Sequence, residues 1–256
     1  MATTDDHRLA SELAASTGSL LTELRQRLVD GGSPPPVLRH EGDRKAHEYL
    51  IAALARERPG DGVLSEEGVA SDAHPDRSSA TRVWIIDPLD GTREFGEPSR
   101  TDWAVHIALA EDGLPTAGAV ALPALELTVS TAEPPSSTAL PPVPDRPRVV
   151  VSRTRPASEA VAVAEALGAD LMEMGSAGAK AMAVVRGEAD AYLHTGGQYE
   201  WDSCAPVAVA LAAGLHATRI DGSPLEYNRS EPYIPNLVIC RQELAEPIVN
   251  ILASHA

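Results

Sequence analysis

The stretch Val83-Trp84-Ile85-Ile86-Asp87-Pro88-Leu89-Asp90-Gly91-Thr92-Arg93-Glu94-Phe95 decides how the chain is read. Its apolar opening, rich in β-branched and aromatic residues, predicts a buried strand over 82–86, yet that strand runs into two aspartates. Pro88 fixes its own φ, Leu89 offers a carbonyl, and Asp90 follows Asp87 by three residues, so the two side chains can converge. Gly91 tolerates a tight or left-handed turn, and Thr92 can cap a following helix whose first N–H groups would hold a phosphate. Two carboxylates about 4 Å apart repel by roughly 1 kcal/mol in water and about 4 kcal/mol at a surface-like dielectric. A hard cation such as Mg²⁺, shared between carboxylates and a substrate phosphate, removes that repulsion. The competing reading is an ordinary Asp-Gly turn that needs no ligand.

Charge narrows the choice of partner. The 256 residues carry a formal net charge of -16, which argues against a nucleic-acid polymer or an anionic membrane held by Lys and Arg clusters. An acidic chain still takes a phosphorylated small molecule when divalent cations bridge the two sets of negative charge. Cys204 and Cys240 follow no paired metal-ligand spacing and are too few for a disulfide framework, which predicts a reduced, cytoplasmic setting. Asp5 and Asp6 stand where a secretory leader wants positive charge, and no apolar run approaches membrane-spanning length. The histidines, among them His74, His106, His194 and His216, show no zinc-ligand spacing and are assigned packing and surface roles.

Outward from the acidic turn, periodicity predicts helices over 6–28 and 43–58, which places Asp43 at or near a helix start. Strands are predicted over 63–65, 103–110, 118–121 and 125–130, with a polar surface loop over 71–81. The proline-rich segment 131–148 is too irregular for regular structure and is taken as the boundary between two lobes, 1–147 and 148–256. Beyond it, strands over 148–152 and 189–193 alternate with helices over 157–167, 176–186 and 203–213. Glu66 and Glu67 end one short strand, and Asp202 precedes the last of these helices, where it reads most simply as an N-cap. Ser176 reads as a cap and Lys180 as an exposed lysine.

Taken together, VLSEEG, WIIDPLDGT and EWDSCAP resemble, in order and spacing, the three metal-binding motifs of the inositol monophosphatase superfamily of Mg²⁺-dependent, lithium-sensitive phosphatases. The segments DPLDGTREF and WDSCAP are more similar to its 3′(2′),5′-bisphosphate nucleotidases, of the actinobacterial CysQ type. The resemblance runs from the first helix to about Tyr227. It implies an α/β fold, a layered α-β-α-β-α sandwich of the inositol monophosphatase and fructose-1,6-bisphosphatase type. It implies one Mg²⁺ on Glu66, Asp87 and the Leu89 carbonyl, a second on Asp87, Asp90 and Asp202, and a third, weaker ion near Glu66, with Li⁺ as inhibitor. Asp43 and Thr92 are implied to activate the attacking water, with Glu66 beside them, and Gly91, Thr92, Ser176, Lys180 and Asp202 to contact substrate. Glu67 is left outside the ligand set, and Cys204 is read as a packed residue.

The implied reaction converts 3′-phosphoadenosine 5′-phosphate (PAP) to AMP and phosphate, with the sulfated nucleotide PAPS as a further substrate, in sulfate assimilation. The alternative within the same fold is an inositol-1-phosphate or fructose-1,6-bisphosphate phosphatase. A covalent Asp-x-Asp phosphatase is disfavoured by the three-residue spacing of Asp87 and Asp90. A non-catalytic cation-binding module requires a missing acid, and each is present. A homodimer is the implied assembly.

Overall fold

The computed structural model describes residues 1–68 and 74–254. Helix α1 (Thr4–Asp30) starts at Thr3, whose side chain and that of Asp6 cap each other's backbone, and buries Leu9, Leu13, Leu21 and Leu24 on one face. Helix α2 (Pro35–Glu57) packs beside it. Both lie on one face of a sheet ordered β1 (Gly62–Ser65), β2 (Arg82–Asp90), β3 (Ala104–Glu111), β4 (Leu114–Leu122), β5 (Leu127–Ser130). The β1–β2 pair is parallel and the others antiparallel.

Strand β2 is buried on both faces, and its period-2 alternation sorts its residues. Trp84 and Ile86 join the cluster under α1 and α2, while Val83 and Ile85 face the other way. Those inward residues meet two central helices, α5 (Ala177–Val185) and α6 (Glu200–Ala212). All nine residues of α5 are buried, as expected of an alanine- and valine-rich helix with protein on every side. The short helix α3 (Thr92–Phe95) follows β2. The second sheet runs β7 (Asp170–Met174), β6 (Arg148–Ser152), β8 (Ala191–Tyr199), β10 (Tyr233–Cys240), β9 (His216–Thr218). Its outer face carries Val149, Val151, Leu193 and Val238 against α4 (Ser158–Leu167) and α7 (Gln242–Ser254). The layers are therefore α-β-α-β-α, the sandwich that the motifs imply. Among the described residues no helix is long and apolar enough to cross a membrane.

Several boundaries depart from the sequence reading. Helix α2 begins at Pro35, not near residue 43, because Pro34 to Pro36 occupy the cap and first helical positions, where a missing N–H costs nothing. Asp43 is thus inside the helix and not its cap. Helix α6 begins at Glu200, which puts Asp202 in its first turn rather than before it. Strand β2 does not stop at Ile86: it continues to Asp90 through an irregularity between Asp87 and Asp90, where Pro88 cannot donate to the ladder. The segment between β5 and β6 has one 3₁₀ turn, Ser137–Ala139, and is otherwise irregular. Of the polar loop expected over 71–81, residues 71–73 lie outside the described residues.

Arg82, at the start of β2, ties this half together. Its guanidinium reaches Asp6 Oδ1 at 2.9 Å, Glu111 Oε1 at 2.8 Å and Asp61 Oδ1 at 3.1 Å, while Trp84 Nε1 donates to Asp61 Oδ2 at 2.9 Å. Burial alone would push the Asp6 carboxyl up, but Thr3, Arg58 and Arg82 hold it well below the usual range. Arg82→Met leaves three acids short of a partner, and with Arg82 itself 28% exposed the expected loss is about 2–3 kcal/mol in urea unfolding at pH 7. The Asp6 contribution is present above its unfolded pKa of about 3.9 and disappears as pH falls through the lower folded value. The gap between parent and Arg82→Met should therefore narrow in acid.

Candidate metal and phosphate site

Three acids from three motif positions meet where β2, α5 and α6 converge. Carboxylate oxygens of Asp87, Asp90 and Asp202 all lie within 4.8 Å of one another. Glu66, just beyond β1, is exposed as a residue, yet its carboxyl group reaches back to that of Asp87. Asp87 is buried, and its Oδ1 accepts the Leu89 N–H at 3.1 Å. The turn is closed by Gly91, at φ 82°, where a Cβ would sit 3.1 Å from Ser176 Cβ and 3.2 Å from the Asp102 carbonyl. A side chain there is excluded both by the backbone conformation and by the space.

The acids are not equivalent. Asp90 lies at the N-terminus of α5: its Oδ2 accepts from the Ser176 hydroxyl and from Gly178 N–H at 2.7 Å, and its Oδ1 from Ala177 N–H at 3.2 Å. His106 Nε2 stands 3.1 Å from the same Oδ2, as an ion pair without the alignment of a hydrogen bond. Burial opposes the charge on Asp90, but His106, Ser176 and Lys180 keep its carboxyl well below the usual range. The ionised Asp90 acts on its neighbours. Burial and then the charges of Glu66, Asp90 and Asp202 push Asp87 up; burial and then Asp90 raise Asp202 to about 7; burial and then Asp202 raise Glu66 to about 7. His106 is itself raised, against its burial, by Asp90.

The donor set fits a divalent cation. It is all oxygen, and the pKa values of Asp87, Asp202 and Glu66 rise because burial and the charges of neighbouring acids outweigh the positive charge of His106 and Lys180. Beside it, the Thr92 hydroxyl lies 3.1 Å from Asp43 Oδ1 and 3.0 Å from the Leu89 carbonyl, so its one proton serves either acceptor. Burial raises Asp43 to about 6 despite the Thr92 contact. Thr92 is the first residue of α3, with Gly91 as the cap, so it is not the helix cap expected from sequence.

An open cavity of about 220 Å³ adjoins the acids, and Arg93, Arg153, Lys180, His194 and Gln198 contribute to its wall with Asp90 and Asp202. Two larger hollows, about 420 and 440 Å³, are lined by none of the three acids. Lys180 is buried rather than exposed, its Nζ donating to the carbonyls of Gly175 and Ser176. Ser176 both donates to Asp90 and accepts the Ala179 N–H at 2.9 Å. Cys204 is fully buried and burial pushes its thiol well up, in keeping with packing.

Sequence reasoning missed two participants. His106 was given a packing role, yet it occupies the one polar position in the row Ala104, His106, Ala108, Ala110 that faces the central helices. A single polar residue in the inward register of a buried strand was the available signal. Glu200 was read only as part of a motif. Its carboxylate accepts the backbone N–H groups of Asn228 at 2.6 Å and Arg229 at 2.8 Å, fixing the start of α6 against the loop before β10.

The sequence profile of the inositol monophosphatase family matches residues 8–255, well past Tyr227. The chain is 49% identical over 259 residues to the 3′-phosphoadenosine 5′-phosphate phosphatase of Mycobacterium leprae, covering 96% of this chain and 93% of that one. It is 50% identical over 244 residues to the protein of the same name from Mycobacterium tuberculosis, covering 92% and 89%. Among solved structures, inositol monophosphatase-II from Staphylococcus aureus superposes with a TM-score of 0.80 at 20% identity, covering 99% of this chain and 97% of that one. At that identity the likeness speaks for the fold alone.

Cation binding must displace the protons that the raised acids retain near pH 7. Titrating Mg²⁺ at pH 7 in buffers of different ionisation enthalpy should show proton release, and the apparent affinity should rise from pH 6 to pH 8. Without metal the sign reverses for stability: Glu66 and Asp202 bind more protons folded than unfolded between their ordinary values near 4 and about 7. The metal-free protein should therefore lose stability as pH rises through that window.

Proposed function

The chain belongs to the inositol monophosphatase family, and from that premise we propose that it is a metal-dependent phosphomonoesterase that converts PAP to AMP and phosphate. The observation that carries the proposal is the juxtaposition of opposite signs. Of three convergent carboxylates suited to a cation-bound phosphate, Asp90 and Asp202 line a cavity whose wall also holds Arg93, Arg153 and Lys180. A sugar monophosphate needs only the first half of that arrangement, whereas a bisphosphate uses both. The names of the mycobacterial relatives at about half identity support the same substrate.

In this reading Glu66, Asp87 and the Leu89 carbonyl hold one Mg²⁺, and Asp87, Asp90 and Asp202 a second. Bound there, the ions supply positive charge to the phosphate and acidify water. The chain's own part is placement and proton transfer. Asp43, raised to about 6, takes a proton through the Thr92 hydroxyl, which the Leu89 carbonyl and Asp43 hold between them. Glu66 stands ready for the same water. The backbone at Gly91 and Thr92 faces the phosphate, and Ser176 and Lys180 shape the wall on which the rest of the substrate rests. Arg153 is aimed by its ion pairs to Glu94 and Glu97, both at 2.7 Å. PAPS as a second substrate, inhibition by Li⁺, a place in sulfate assimilation in the cytoplasm, two lobes at 1–147 and 148–256, and a homodimer complete the proposal.

The test is phosphate release from PAP, inositol-1-phosphate and fructose-1,6-bisphosphate at equal concentration, with Mg²⁺, with EDTA and with Li⁺ added. PAP should turn over fastest, with activity abolished by EDTA and reduced by Li⁺; preference for inositol-1-phosphate, or turnover in EDTA, overturns the reading. Asp90→Asn should lose at least tenfold in kcat/KM, about 1.4 kcal/mol of transition-state stabilisation. At saturating Mg²⁺ the parent's rate should fall below about pH 6 as Asp43 is protonated, and Asp43→Asn should abolish that limb along with most of the activity.

A further inference from the structure

The mechanism above makes no use of His106, the one fully buried histidine at this site. Its ring spans the two elements that carry the clustered acids, β2 and α6. On one side Nδ1 lies 3.0 Å from the carbonyl of Trp201, the residue immediately before Asp202. On the other, Nε2 lies 3.1 Å from Asp90 Oδ2. The backbone that carries the ring is held by the sheet, since β3 pairs His106 with Asp87 on β2 and with Val120 on β4. One imidazole therefore touches the side chain of Asp90 and the backbone next to Asp202, while its own backbone is paired with that of Asp87.

The surroundings are shaped to admit it. A Cβ on Gly178 would fall 2.0 Å from His106 Nε2 and 3.1 Å from Ala104 Cβ, so any side chain at position 178 would expel the ring. His106 is flanked in its own inward row by Ala104 and Ala108, which leave the room that an imidazole fills. A ring that merely plugged a hole would need neither a carbonyl at one nitrogen nor a carboxylate at the other.

The oxygen that it contacts also matters. Asp90 Oδ2 already receives the Ser176 hydroxyl and the Gly178 N–H, and His106 is its third positive or donor neighbour; Oδ1 has the Ala177 N–H alone. This commits Oδ2 to the protein and leaves Oδ1 the more available for a cation. Resting on the metal-site reading above, we propose that His106 is a positioning residue that sets the spacing of Asp90 and Asp202 and selects the Asp90 oxygen presented to the divalent ion. It touches neither substrate nor metal, and its effect is on the ligands.

Mg²⁺ alone, titrated into substrate-free protein by calorimetry, reads this directly. His106→Leu removes both contacts at similar volume, and His106→Asn keeps a donor near the Trp201 carbonyl while giving up Asp90. The expected result is Mg²⁺ binding weakened 10- to 100-fold in His106→Leu and by less in His106→Asn. Activity should follow as a raised Mg²⁺ requirement, with kcat at saturating Mg²⁺ falling less than the affinity does. Near-UV circular dichroism in EDTA checks the fold; should His106→Leu not fold, the Asn variant carries the comparison. Parent-like Mg²⁺ affinity in a folded variant overturns the positioning role while leaving the metal site standing. A parent that binds no Mg²⁺ overturns both.

Discussion

The Asp90 carboxylate, seated on the N-terminus of α5, is the interaction on which the site depends. It crosses the boundary between the first sheet and the central helix layer, and it gathers donors from Ser176, Ala177 and Gly178 on one side and His106 on the other. The positive end of a helix and an imidazole together keep this acid ionised in a place where burial would otherwise neutralise it. Burial, together with the charges that Asp90 and the other acids place on one another, then opposes full ionisation of Asp87, Asp202 and Glu66 without a cation. The same contact thus joins two layers of the fold and creates the electrostatic demand that a metal meets.

A chain of net charge -16 repels an anion unless charge is sorted locally, and the sorting here follows from pairing. Arg82 and Arg58 are committed to Asp5, Asp6, Asp61 and Glu111 at the far end of β2. Arg25 is spent on the carbonyls of Glu94, Phe95, Glu97 and Arg100, closing the back of the α3 turn. Lys180 donates to the carbonyls of Gly175 and Ser176 at the head of α5 while its charge also faces Asp90. With a Debye length near 8 Å at physiological salt, only charges this close to the cavity matter to a bound phosphate. Net charge therefore weighs against a polyanion without weighing equally against a small one.

What was legible in the sequence was what local chemistry dictates. The DPLDGT turn states its own geometry, since a proline between acids and a glycine after them leave few alternatives, and the β2 and β3 alternations give the layers they separate. Helix boundaries were less legible because their signals compete. A run of prolines ends one helix and equally well begins the next, and 37–42 has too few apolar residues to declare a period, so α2 was started eight residues late. His106 was unreadable as a ligand-positioning group for a different reason: its partners lie at 90, 178 and 201, and nothing in the neighbourhood of residue 106 encodes them. Long-range contacts of single polar residues are supplied by the fold, and local pattern shows only that such a residue is out of place.

Asp202 shows why structural and functional readings of one residue need not exclude each other. Its Oδ2 accepts the Tyr199 N–H at 2.7 Å, reaching back from the first turn of α6 as a capping residue does. The same carboxylate stands in the cluster with Asp87 and Asp90. An acid in the first turn is stabilised by the helix dipole, which offsets part of the repulsion from its neighbours. Asp90 accepts from Ser176, Ala177 and Gly178 at the start of α5, so two of the three clustered acids are held at helix N-termini. The strand turn supplies the third, and with it the acid that has least protein support and most need of a cation.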